Sequence, residues 1–202
     1  MIPINLAVED ELSEMVLRRL ITESGREYCP GKCHRRGGFG YLKNRINAFN
    51  GAAKKGIPFI VLTDLDQAEC APSLIHKWLK QPPHPNLMFR VAVREVEAWL
   101  LASRVQFAKF LGISENAIPH PVDQLRDPKQ TLLQLAKKSR KRRLREAIIP
   151  AENSTATIGP DYNGALGEFV RTTWDIAEAR IHSESLRRTV LALQHFQPDW
   201  KA

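Results

Sequence analysis

The residues best suited to chemistry in this 202-residue chain are carboxylates placed where short apolar runs stop. The run from Gly56 to Thr63 ends on Asp64-Leu65-Asp66. Positions i and i+2 of an extended chain point the same way, so Asp64 and Asp66 are expected to present oxygens to one point while Leu65 turns inward. Glu9 follows a second apolar run, Ile2 to Val8, and Glu95 and Glu97 follow a third, Leu87 to Val93. Hard divalent cations take oxygen ligands, and Mg²⁺ is usually held by one or two carboxylates together with substrate phosphates and water. Such a set suits attack on a phosphoryl group, where bound metal neutralises oxygen charge and activates water. Each acid alone could equally cap the helix behind it. Their coincidence at three run ends favours a shared site.

The elements that must position these acids alternate along the first half of the chain. Phe59 to Leu62 is a continuous apolar and β-branched block, as in a strand covered on both faces. Strands are expected over Ile2 to Val8, Arg26 to Cys29, Ile57 to Thr63 and Leu87 to Val93. A helix begins near Glu9, a basic glycine-rich loop runs from Gly31 to Gly40, and further helices cover Tyr41 to Lys55 and Pro72 to Lys80. This alternation predicts an α/β fold with a mostly parallel sheet flanked by helices. In such sheets ligands collect at the carboxyl ends of the strands, where the strand order reverses.

From Val96 onward every segment reads as helix or loop. Asp127-Pro128-Lys129-Gln130 has the form of a helix start, and that helix is expected to run to about Ile149. A loop follows from Ala151 to Gly164, then helices near Ala165 to Arg171 and Glu184 to Phe196. The chain therefore divides into an α/β core, residues 1–112, and a helical C-terminal extension, residues 113–202. Trp99, Trp174 and Trp200 are expected to be packing residues.

A formal net charge of +8 attracts polyanions. The densest positive segment holds Lys137, Lys138, Arg140, Lys141, Arg142, Arg143 and Arg145, while Leu132, Ala136, Leu144, Ala147 and Ile148 supply a buried side. This helix is expected to track a nucleic-acid backbone, with Arg35 and Arg36 of the glycine-rich loop as weaker contributors. Cys29, Cys33, His34 and Cys70 could be arranged around zinc, but free thiols are the preferred reading. Three cysteines and no apolar run near the ~20 residues of a membrane span favour a cytosolic protein without membrane contact. The P-loop and nucleophile-elbow patterns are absent from the sequence.

Val8-Glu9 and Thr63-Asp64-Leu65-Asp66 together resemble Toprim domains, in which a glutamate after the first strand and an Asp-x-Asp after a later one bind divalent metal. The stretches Ala7 to Glu14 and Arg94 to Ala102 are similar to a group of Toprim-like bacterial proteins related to overcoming-lysogenization-defect nucleases. The resemblance implies a Toprim-like core with Glu9, Asp64 and Asp66 as ligands of Mg²⁺ or Mn²⁺. It also implies Glu97 as a fourth catalytic acid, with Glu95 as its rival. Asp10 stands where the family has glycine, and Ser103 where relatives often carry an acid. The function implied is a metal-dependent nuclease or nuclease-like effector, acting in phage defence beside a separate ATPase. The alternative is a non-catalytic Toprim-like module that binds nucleic acid or an ATPase, and a third reading is a phosphotransferase or phosphohydrolase for small nucleotides.

Overall fold

A computed structural model describes residues 1–199, so Trp200 lies outside the described residues. The chain forms two compact units: Met1–Val93 together with the segment from Arg188 onward, and Arg94–Arg187.

The first unit follows the order β1 (Ile2–Ala7), α1 (Glu11–Thr22), β2 (Tyr28–His34), α2 (Gly38–Ala53), β3 (Phe59–Asp64), α3 (Ala71–Trp78) and β4 (Leu87–Ala92). All strand pairings are parallel and the order across the sheet is β2-β1-β3-β4, as the alternating pattern requires. Residues Phe59 to Leu62 are buried on both faces of the pleat. Phe59, Val61, Phe89 and Val91 share a core with Leu42, Ile46 and Phe49 of α2 and with Leu74 and Trp78 of α3. Ile60 and Leu62 alternate to the opposite face. The chain moves outward from β1 to β2, then returns to the far side of β1 as β3. The order therefore reverses between β1 and β3, and it is at the carboxyl ends of strands at such a point that open parallel sheets bind ligands, in what is called here the β1–β3 crevice.

Strand β2 is longer than the expected Arg26 to Cys29 and absorbs the start of the segment assigned to loop. Pro30 and Gly31 are poor strand residues, but pairing with β1 overrides them. The register shifts between Ile4 and Leu6, and there the Asn5 side-chain oxygen accepts a hydrogen bond from the Lys32 N–H at 2.9 Å. A Cβ on Gly31 would stand 2.7 Å from that oxygen and 3.1 Å from the Ile4 carbonyl oxygen. Gly31→Ala is therefore expected to cost about 1–3 kcal/mol, read as a drop of several degrees in thermal melting. An unchanged melting temperature would show that this bulge adapts freely. Helix α2 starts at Gly38, earlier than the expected Tyr41, because Gly37 turns the chain at φ 77°.

The second unit is helical: α4 (Glu97–Ala102), α5 (Arg104–Leu111), α6 (Pro128–Lys137), α7 (Arg142–Ile148), α8 (Tyr162–Thr172), α9 (Ile176–His182) and the start of α10 (Glu184–His195), whose remainder belongs to the first unit. Helix α4 is buried along its whole length. The Trp99 indole N–H donates to Ser185 Oγ at 2.7 Å, and the Trp99 carbonyl accepts from the Trp174 indole at 3.2 Å. Both tryptophans are packing residues, as expected. Asp127 caps α6 through the Gln130 N–H at 2.7 Å, with Pro128 in the first turn.

The single helix expected up to Ile149 is broken. Ser139 is buried, donates its hydroxyl to the Leu111 carbonyl at 2.5 Å and accepts the Lys141 N–H at 3.1 Å. A serine that satisfies backbone groups in this way competes with the helical ladder, so α6 ends and α7 starts afresh at Arg142. Among the described residues, no helix is long and apolar enough to cross a membrane.

Candidate functional site

The carboxyl ends of β1 and β3 are tied together by one side chain. The β1–β3 register pairs Ala7 with Val61, which brings the chain beyond Ala7 alongside the end of β3. There Glu9 Oε1 accepts hydrogen bonds from the Thr63 hydroxyl and from the Asp64 N–H, the latter at 3.1 Å. Thr63 was not anticipated as a site residue. Its only sequence signal is that it is the first polar residue after the apolar block Phe59 to Leu62, and it is buried. Asp10, the second acid at the β1 end, accepts the Ser13 N–H at 2.8 Å and caps α1. Of the two neighbouring acids, Glu9 thus faces β3 and Asp10 serves the helix.

Asp64 closes β3 and is half-buried, and Leu65 turns inward with its N–H on the Ala92 carbonyl at 2.9 Å. Asp66 is exposed and adopts φ 47°. The simple alternation of an extended chain therefore ends at Asp64, and a left-handed turn delivers Asp66. Aspartate tolerates this conformation better than most residues, and such backbone strain concentrates at functional sites.

Burial holds the Glu9 carboxyl above its ordinary pKa. The Thr63 and Asp64 hydrogen bonds oppose this rise, and the charges of Asp66 and Asp10 add to it. The sign of the linkage follows. A raised folded-state pKa gives stability below the unfolded pKa that is lost as pH rises through the folded value. In chelator at neutral pH, Glu9→Gln is therefore expected to melt a few degrees higher than the unaltered protein, because its amide oxygen still accepts both bonds. At pH 4 and below the two should converge. Equal melting temperatures at pH 8 would contradict this account of Glu9.

Among the described residues, no group of three or more His, Cys, Asp or Glu side chains is disposed to hold a metal ion. The fold does join Glu9 to Asp64 through the backbone, with the charge of Asp66 acting on Glu9. Carboxylate oxygens are the donor type that Mg²⁺ and Mn²⁺ take, and a desolvated carboxylate beside like charges is relieved by a cation. The donor type of Glu9, Asp64 and Asp66 is the one a hard divalent ion takes, although the three carboxylates are not gathered into one ligand set here.

Glu95 and Glu97 have partners in the second unit. Glu97 is buried, accepts the Tyr162 hydroxyl at 2.8 Å and lies 3.4 Å from Lys129 Nζ. Glu95 accepts the Lys129 N–H at 2.7 Å in the first turn of α6. Ser103 is also buried, donating to Glu178 at 3.0 Å and accepting the Asp175 N–H at 3.2 Å.

The basic residues spread over the end of α6, the turn after it and α7. Lys141 Nζ donates to the Lys109 carbonyl at 2.9 Å, Arg145 donates to the Ser139 carbonyl at 2.8 Å, and Arg142 pairs with Glu146 at 2.8 Å. Lys137, Lys138, Arg140 and Arg143 are exposed. Lys137 and Arg145 border an open groove of about 870 Å³ that Glu146 and Glu152 also line. In the first unit Arg35 lies between Glu11 and Glu14, at 3.6 and 3.4 Å, whereas Arg36 is exposed.

The three cysteines are free thiols. Burial pushes Cys33 up to about 12, and a hydrogen bond to Glu14 adds to the rise. No protein-family model matches the chain, and neither does any curated protein or solved structure.

Proposed function

We propose that this protein is a Toprim-like, divalent-metal-dependent hydrolase of nucleic-acid phosphodiesters. The observation that carries the reading is Glu9 bonded to the end of β3 across the point where the strand order reverses. Glu9, Asp64 and Asp66 would hold Mg²⁺ or Mn²⁺, and Thr63 would fix the rotamer of Glu9. The bound ion would supply positive charge at a phosphoryl oxygen and lower the pKa of water. Lys137, Lys138, Arg140 and Arg143 would contribute phosphate contacts and salt-sensitive affinity. In this reading Glu97 acts through the second unit's own packing.

A second reading is a non-catalytic module that binds nucleic acid or an ATPase partner. It is favoured by Glu95 and Glu97, since both acids beyond β4 engage Lys129 at the start of α6. Incubation of the protein with single- and double-stranded DNA and RNA separates the two. Cleavage with Mg²⁺ or Mn²⁺ that stops on chelation is expected of the hydrolase. Salt-dependent binding without cleavage under any of these conditions is expected of the module.

A further inference from the structure

Strand β2 is an edge of the sheet, and three cations gather at its carboxyl end. Lys32 and His34 lie two residues apart on β2, and Arg36 follows two residues later. Arg45 sits on α2 one turn before Phe49, whose ring centroid is 5.4 Å from that of His34. His34 reports the convergence: burial lowers its pKa first, and the charges of Lys32, Arg45 and Arg36 lower it further. All three cations are exposed. Among the described residues they form no ion pair, in contrast to Arg35, which is taken up by Glu11 and Glu14. The backbone just after Arg36 is open, since a Cβ at Gly38 or Gly40 would meet nothing within 4 Å.

The position of this cluster relative to the acids gives it a use. His34 pairs with Ala7 in the sheet, and its carbonyl accepts the Val8 N–H at 3.2 Å. The strand that carries Lys32 thus borders the strand that leads into Glu9. Like charges held together without acidic partners are electrostatically unfavourable unless an anion visits them.

We propose that Lys32, Arg36 and Arg45 form a phosphate-contacting surface on the β2 edge, which grips the sugar–phosphate backbone of the nucleic acid presented to the β1–β3 crevice. This deepens the nucleic-acid reading above and rests on it for the identity of the polyanion. The surface belongs wholly to the first unit and uses none of the basic residues of α6 and α7. It transfers the role of Arg35 to Lys32 and Arg45.

The test is fluorescence anisotropy of labelled single- and double-stranded oligonucleotides in chelator, titrated between 50 and 200 mM salt. Each phosphate contact contributes roughly 0.7–0.9 to the slope of log affinity against log salt. The triple variant Lys32→Gln, Arg36→Gln, Arg45→Gln is expected to lower that slope by roughly 2–3 and to weaken binding at least tenfold. Each single substitution should remove roughly one contact's share, and Arg35→Gln should leave the slope unchanged. The proposal is overturned if the triple variant keeps the wild-type slope or if Arg35→Gln matches its loss. It is equally overturned if the protein binds phosphatidylserine vesicles but no oligonucleotide. Chelator separates this surface from the reaction: a reduced slope in a protein that never cleaves removes the hydrolase and leaves the surface standing. A wild-type slope in the triple variant of an active nuclease does the reverse.

Discussion

Asp64→Asn is expected to lower Mg²⁺- or Mn²⁺-dependent cleavage of nucleic acid by about 10²–10³-fold while leaving the melting temperature nearly unchanged. Asparagine has the size of aspartate and keeps the backbone N–H that Glu9 accepts. It lacks the full negative charge that attracts a divalent ion. Metal-derived charge stabilisation is worth several kcal/mol in a transition state, and each 1.4 kcal/mol is about tenfold in rate. Asp10→Asn is the matched control, since asparagine caps a helix as well as aspartate and Asp10 is occupied by the α1 terminus. Initial rates on a labelled substrate decide the matter. Comparable loss in both variants would show that general charge, not the crevice, supports activity.

The second large effect concerns stability. Glu97→Ala is expected to cost about 2–4 kcal/mol, which lowers the melting temperature by roughly 4–16 °C in a chain of this size. The mutation removes the buried acceptor of the Tyr162 hydroxyl and the carboxylate beside Lys129. Tyr162→Phe should cost less, because it removes one hydrogen bond and leaves Lys129 paired. Urea denaturation measures both. If Glu97→Ala unfolds at the wild-type midpoint, the Glu97–Tyr162–Lys129 network contributes nothing to the fold, and a purely chemical role for Glu97 becomes the better reading.

How much of this was legible in the sequence depended on how local the cause was. The β3 block was readable because burial on both faces leaves a run with no polar interruption until Thr63. The Asp127 cap was equally local, fixed within four residues. Glu9, Asp64 and Asp66 could be singled out from their places at run ends. Other features depended on partners far along the chain. The extension of β2 through Gly31 relies on Asn5, and the break of the expected basic helix relies on Leu111 receiving the Ser139 hydroxyl. Asp66 reaches its position through a left-handed turn that periodicity cannot encode. Arg35, a candidate phosphate contact by sequence, is taken up by Glu11 and Glu14, whereas Arg45 lies in an ordinary helical pattern that does not single it out.

Isothermal titration of Mn²⁺ into the metal-free protein tests the central claim most directly, because it asks whether the crevice between β1 and β3 binds a cation before any substrate is chosen. Saturable binding in the unaltered protein, abolished by Asp64→Asn and retained by Asp10→Asn, is the expected result. Saturable binding that survives Asp64→Asn unchanged, or no binding by the unaltered protein with or without a non-hydrolysable oligonucleotide, would contradict it.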